Sequence, residues 1–171
     1  MLILITGGSG SGKSEYAEEV AVTLKTEKKA EKLYYMAAMK PYGEEGAARV
    51  EKHRRQREGK GFETVEHYTS APIEVEKNGV MLLECLSNLA ANEVFDEKNK
   101  NAADDICDFI FTAEKKLAAL VVVTNDIFSD GLLYGSETIA YMEVLGEINR
   151  RAAERADSFY EVVCGIPVRL K

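Results

Sequence analysis

The stretch LILITGGSGSGKSEYAEEV, residues 2–20, runs from a continuous apolar segment through a glycine- and serine-rich turn into a segment of helical periodicity. Within it, Gly7-Gly8-Ser9-Gly10-Ser11-Gly12-Lys13-Ser14 matches the phosphate-cradling pattern in which Gly, Gly, Lys and Ser hold fixed places. A strand entering such a loop and a helix leaving it aim backbone N–H groups and the positive helix end at one point, where phosphates bind. Lys13 then reaches the outer phosphates, and the Ser14 hydroxyl coordinates magnesium.

Working outward, further apolar runs occur at Leu33–Ala37, Val80–Leu83, Leu120–Thr124 and Phe159–Val163, with helix-length segments between most of them. Nearly continuous apolar runs suit strands buried on both faces, and their alternation with helices predicts a parallel sheet covered on both sides. The expected fold is therefore α/β, a P-loop NTPase-like three-layer arrangement with a mostly parallel central sheet, in one domain over residues 1–171. Tyr16, Ala17, Val20 and Leu24 place the first helix over Ser14–Leu24, and a second runs from about Glu44 to Arg57. Gly59 and Gly61 end it, and Phe62–Glu66 alternates as a short extra strand. Helices are expected over 102–118 and 136–155. Ile166–Leu170 reads as an edge strand or a tail crossing a neighbour, because Pro167 cannot donate to a central ladder.

Composition narrows the function classes. No apolar run approaches the roughly 20 residues of a bilayer helix, so no membrane span is expected. Without a basic segment before Leu2–Ile5, export is not expected either. Cys85, Cys107 and Cys164 are odd in number and lack a CxxC pair, which points to a reducing cytoplasm rather than a disulfide framework or zinc site. A net charge of -7 argues against nucleic acid as a partner, while leaving room for a local basic patch that holds a small anion.

That patch is RVEKHRRQREGKGFETVE, residues 49–66, where His53 lies among Arg49, Lys52, Arg54, Arg55 and Arg57. It reads either as the solvated end of an amphipathic helix or as a nucleophilic histidine. In the second case nearby cations keep the imidazole neutral and arginine forks hold the phosphate it attacks. His67 has no such setting and is expected in an exposed loop. Two acids, Glu84 and Asp126, follow strand-like runs and would lie at the carboxyl edge of the sheet, where such folds bind ligands. Each reads as a ligand to the metal or nucleotide, or as a capping or solvated loop acid.

Taken in order, these residues resemble a known family, the bifunctional adenosylcobinamide kinase / adenosylcobinamide-phosphate guanylyltransferases of cobalamin biosynthesis. The resemblance runs end to end. It rests on Ile3–Gly8 with Ser11-Gly12-Lys13-Ser14, Ala48-Arg49-Val50 before His53 and Arg57, and Thr64-Val65-Glu66. It continues in Leu82–Ser87 with Asn92, Val123-Thr124-Asn125, Gly146 with Asn149, and Val163–Val168.

The resemblance implies that His53 takes GMP from GTP as a phosphoramidate and passes it to adenosylcobinamide phosphate. It implies nucleotide contacts from the loop residues Gly7 to Ser14, from Ala37, Ala38 and Met39 after the second strand, and from Arg54, Arg55, Gln56, Arg57, Glu66 and Glu84. Glu84 is expected either at magnesium or, the reading favoured here, on the Watson–Crick edge of guanine. The catalytic pair would be His53 and Lys13, with GTP, ATP and Mg2+ used, a corrinoid acceptor and a homotrimeric assembly. The chain departs from the family at Ala37-Ala38-Met39, at Arg57-Glu58, at Phe62, and across Asp126–Gly135 and Tyr141-Met142-Glu143, the region expected to face the corrinoid. Two other readings fit the residues: a P-loop kinase of another small molecule, or a non-enzymatic GTP-binding regulatory module.

Overall fold

The computed structural model describes residues 1–129 and 131–171, apart from the side chains of Glu45, Arg49 and Lys52. Arg49 and Lys52 of the basic patch thus lie outside the described side chains. In chain order the elements are β1 (Leu2–Thr6), α1 (Lys13–Glu27), β2 (Leu33–Ala37), α2 (Gly43–Gln56), β3 (Glu63–Glu66), β4 (Val80–Glu84) and α3 (Leu86–Ala91). A π-helical turn over Asn92–Asp96 follows, then α4 (Ala102–Lys116), β5 (Ala119–Val123), α5 (Ser136–Arg155), β6 (Ser158–Val163) and β7 (Ile166–Arg169).

All seven strands join one sheet in the order β3-β2-β4-β5-β1-β6-β7, parallel except for β7. β1 sits between β5, with Leu2 opposite Leu120, and β6, with Ile3 opposite Ser158. The strand period of two sorts each run between two cores. Leu2, Leu4, Met36, Met81, Leu83 and Val122 face one side, where α3, α4 and α5 present Leu89, Ile110 and Ile148. Ile3, Ile5, Leu33, Val80, Leu82 and Val121 face the other, covered by Ala17, Ala21 and Leu24 of α1. Each such large side chain contributes about 1.5–3 kcal/mol on burial, so two-sided burial explains the continuous apolar runs.

The expected strands and helices are present, with ends shifted by a few residues. β4 continues to Glu84, β5 covers Ala119–Val123, β3 begins at Glu63, and α1 extends to Glu27. The carboxyl end is an edge strand: β7 folds back antiparallel on β6, with Val162 opposite Pro167. Helix α3 and its π-helical turn were not anticipated. α2 differs from the other long helices, because none of its described residues is buried. Among the described residues no helix is long and apolar enough to cross a membrane.

Because β1, β2, β4 and β5 run in parallel, their carboxyl ends share one edge of the sheet. The loop after β1 opens there, and α1 crosses behind it over β5 and β4, which carries the start of α1 to the end of β4.

Candidate active site

The loop from Gly7 to Gly12 is held by backbone packing. Ser11 N–H donates to the Gly8 carbonyl (3.2 Å), Asp126 N–H to the Gly7 carbonyl (3.2 Å), and Gly165 N–H, from the β6–β7 turn, to the Ser11 carbonyl (2.8 Å). A Cβ at Gly7 would meet the Val162 carbonyl oxygen and Ser11 Oγ, each at 2.6 Å. Gly12 has φ +91°, and a Cβ there would lie 3.2 Å from the Gly165 Cα. Only glycine fits both constraints at Gly12.

Lys13 is 8% exposed, and its ammonium donates to the Gly8 carbonyl at 3.0 Å. Burial pulls its pKa below the ordinary lysine value, against the opposing pull of Cys85 and Glu84. The Ser14 hydroxyl donates to Glu84 Oε1, and the Tyr35 hydroxyl donates to Glu84 Oε2 at 3.2 Å. Burial, then the nearby Glu84, push the Tyr35 phenol well above its ordinary pKa. Arg57 caps this chain, its guanidinium 3.4 Å from the centre of the Tyr35 ring.

Across from the loop, His53 and Gln56 of α2, Lys60 of the following turn and Met39 line the same cavity of about 670 Å³. His53 Nδ1 and Ser11 Oγ are buried without a hydrogen-bond partner. Unpaired buried polar atoms are costly, and a bound ligand is one way to satisfy them. Lys60 Nζ lies 2.5 Å from Glu18 Oε2. Asn125 closes the wall, its amide donating to Ser87 Oγ at 2.6 Å.

The site residues expected from sequence separate into two groups. The loop from Ser9 to Ser14, Met39, His53, Gln56 and Glu84 line one cavity. Arg54, Arg55 and Arg57 line a second cavity of about 630 Å³. There the side chains of Arg54 and Arg55, 74% and 76% exposed, pair with Glu51 at 3.0 Å. Arg57 is buried at 7% exposure, with Nε and Nη1 unpartnered. The expected forks of Arg54 and Arg55 are thus turned away from the loop in this conformation, while Arg57 lies on the Tyr35 ring. Helical spacing explains this: Arg54 and Arg55 follow His53 by one and two positions and cannot share its face.

Other expectations meet other outcomes. Gly7 and Gly8 form the near end of the loop, while Ala37 ends β2 and Ala38 is buried, its carbonyl accepting from the Asn92 amide at 2.9 Å. Glu66, at the end of β3, is exposed and accepts from the Tyr68 hydroxyl at 2.9 Å. Asp126 caps its own loop, accepting from Phe128 N–H (3.0 Å) and Ser129 Oγ (2.7 Å). His67 is not a simple exposed loop residue: its ring stacks on Phe109 at 5.6 Å between centroids, and its Nε2 lies 2.8 Å from the Ala71 carbonyl. Tyr35, Glu18, Lys60, Asn88 and Asn125 were not foreseen at the cavity. Glu18 carried a signal, since it follows Ser14 by one helical turn and so shares its face.

The residues present suit a nucleotide. Ser14 Oγ and Glu84 Oε1 are hard oxygens of the kind magnesium takes alongside phosphate and water. Among the described residues no cluster of three or more His, Cys, Asp or Glu forms a separate metal site.

Known proteins resemble this chain in fold and in sequence. A solved structure described as an ATPase domain superposes with a TM-score of 0.51 at 9% identity, covering 94% of this chain and 68% of that one, a likeness of fold alone. Two relatives named "Bifunctional adenosylcobalamin biosynthesis protein CobU" align over 100% of both chains. One, from Escherichia coli K12, is 29% identical, and the other, from Salmonella typhimurium LT2, is 28% identical. The family described as cobinamide kinase / cobinamide phosphate guanyltransferase matches residues 3–170, and this chain belongs to it.

Proposed function

We propose that this protein transfers GMP from GTP to adenosylcobinamide phosphate through His53, and phosphorylates adenosylcobinamide with the same loop. The observation that carries the proposal is the shared cavity: the phosphate loop and His53, with its buried unpartnered nitrogen, face one another across a single space.

In the transfer half, a ring nitrogen of His53 attacks the α-phosphorus of GTP. A phosphorus–nitrogen bond forms, the bond to the bridging oxygen breaks, and pyrophosphate leaves. A phosphate oxygen of the acceptor then attacks the same phosphorus, the phosphorus–nitrogen bond breaks, and the imidazole is regenerated. Splitting the transfer in two lets one nitrogen replace a poor encounter between two anions. Lys13 and the loop N–H groups hold the departing charge, worth the most in a cavity from which water is partly excluded. In the kinase half, the same cradle presents a γ-phosphate to a corrinoid hydroxyl, with ATP or GTP as donor.

The Ser14 hydroxyl, with Glu84 beside it, would hold magnesium, which would supply charge neutralisation for the phosphates. Both Glu84 oxygens are engaged, one by Ser14 at the start of α1 and one by Tyr35 on β2. This supports the metal side for Glu84 over the guanine edge favoured from sequence. Arg54 and Arg55, on the outer face of α2, are left to guide the anionic substrates by charge rather than to grip them. The homotrimer and the cytoplasmic setting belong to the same proposal. Exposed Ile166, Val168 and Leu170 near edge strand β7 supply apolar surface for an assembly to cover.

The test uses both half-reactions. With adenosylcobinamide phosphate and GTP, the protein should release pyrophosphate and form the GDP-linked corrinoid. With adenosylcobinamide and γ-labelled nucleotide it should label the corrinoid. Failure of the first in a folded, nucleotide-binding sample removes the transferase assignment, and failure of the second removes the kinase assignment.

A further inference from the structure

We infer that Glu18 and Lys60 form a positioning pair that sets the His53 helix over the phosphate loop. The inference rests on the transferase reading of His53.

Among its described residues α2 has little of its own to hold it in place. None of its described residues is buried, and its chief ion pairs, Glu51 with Arg54 and Arg55, run along its own surface. It is bounded after Gln56 by a turn in which Gly59 and Gly61 both have φ +78°. Lys60 lies between those glycines. Its ammonium reaches Glu18 Oε2 at 2.5 Å, bridging the turn to the face of α1 that continues from Ser14.

Glu18 is 1% exposed, which makes the contact unlike the surface pairs of α2. A carboxylate taken out of water requires a partner, and removing that partner costs far more than an exposed pair contributes. Lys60 is that partner, by ion pair and hydrogen bond alike. The turn between Arg57 and Glu63 is therefore tied to the helix that carries the phosphate-loop lysine and serine. Arg57, stacked on Tyr35, provides the second anchor three residues earlier. With both in place, His53 is held one helical turn before Arg57, facing the cavity.

The pair also lines the cavity, so Lys60 has a competing role, a direct contact to substrate phosphate. The two roles differ in what Glu18 does. A phosphate-binding Lys60 would leave Glu18 dispensable for reaction, whereas a positioning pair makes the two substitutions equivalent.

The readout that does not depend on activity is modification by diethyl pyrocarbonate, followed residue by residue by mass spectrometry on the full chain. The chain has two histidines, so His67 serves as the internal reference. In Glu18→Gln and in Lys60→Met, modification of His53 relative to His67 should rise several-fold. Covalent GMP labelling at saturating GTP should fall roughly 10- to 100-fold, the scale expected when a reacting group is misplaced by about an ångström. GTP affinity should change much less than the labelling rate, and Lys60→Arg should restore most of it. Lys60→Met stands in should the buried Glu18→Gln fail to fold. An unchanged His53/His67 ratio in Lys60→Met overturns the inference. So does a loss of GTP affinity in Lys60→Met with wild-type labelling in Glu18→Gln. No labelling in the wild type, with the modification result intact, would instead remove the transferase reading while leaving the pair in place.

Discussion

The phosphate loop and the histidine helix face each other across one cavity but are held by opposite means. The loop is built from backbone: glycines at close approaches, carbonyls tied to Gly165 and Asp126 N–H groups, and two strands packed behind it. The histidine helix is built from side-chain contacts at its far end, Arg57 on Tyr35 and Lys60 on Glu18, with no buried residue along its described length. The phosphate cradle is thus preorganised in the fold, while GMP acceptance, in the function proposed above, depends on a helix whose placement rests on a few polar contacts. If one cradle serves both reactions and one helix only the transfer, as proposed, the two should be separable by mutation.

The largest expected effect tests that separation. Lys13→Ala should lower both the kinase and the transferase rates by about 100-fold or more, since it removes the cradle's buried cation. His53→Ala should abolish transfer while the kinase rate stays measurable. A kinase rate that falls in parallel with transfer in His53→Ala would break the comparison.

Backbone construction should tolerate less than side-chain construction. Gly7→Ala should cost about 1–3 kcal/mol in urea unfolding, as expected where an added carbon forces its neighbours to shift. Arg54→Ala, on an exposed helix face, should change it by less than about 0.5 kcal/mol. Equal effects would show that the loop is less constrained than its contacts imply.

Glu84→Gln sharpens the assignment at the boundary between the two regions. It should reduce magnesium-dependent turnover by about tenfold, on the scale of removing one positioned electrostatic contact, with an unchanged preference for GTP over ATP. A lost preference at wild-type turnover would return Glu84 to the guanine edge.

The smallest effect is a pH slope. Tyr35 is buried in its neutral form, with its pKa raised above the ordinary 10.0 by burial first and by Glu84 second. Above pH 10 the unfolded chain loses this proton while the folded chain keeps it, so stability should fall as pH rises from there. Below pH 10 both states keep the proton and the contribution is constant. Tyr35→Phe should flatten the stability slope above pH 10, measured by urea unfolding at stepped pH, and an undiminished slope would place its origin elsewhere.

Much of this arrangement was legible in the sequence where one residue's chemistry dictates its surroundings. Gly7, Gly12, Lys13 and Ser14 carry a pattern that requires strand, loop and helix in that order, and the apolar runs carry two-sided burial. His53 was legible as a candidate nucleophile within an unusual basic patch, and it lines the cavity shared with the phosphate loop. The direction of Arg54 and Arg55 was derivable from helical spacing, yet grouping by charge obscured it. α3 and its π-helical turn were not legible, because six residues and an irregular turn leave too little periodicity to register. The Glu18–Lys60 contact joins positions 42 residues apart through a glycine turn, and no local pattern encodes such a pairing.

The most direct measurement is the covalent one. The protein incubated with α-labelled GTP and magnesium, then denatured and digested, should carry acid-labile, base-stable label on the peptide that contains His53. His53→Ala should carry none. Label on another residue, persistent label in His53→Ala, or no label in a folded protein that binds GTP would contradict the account.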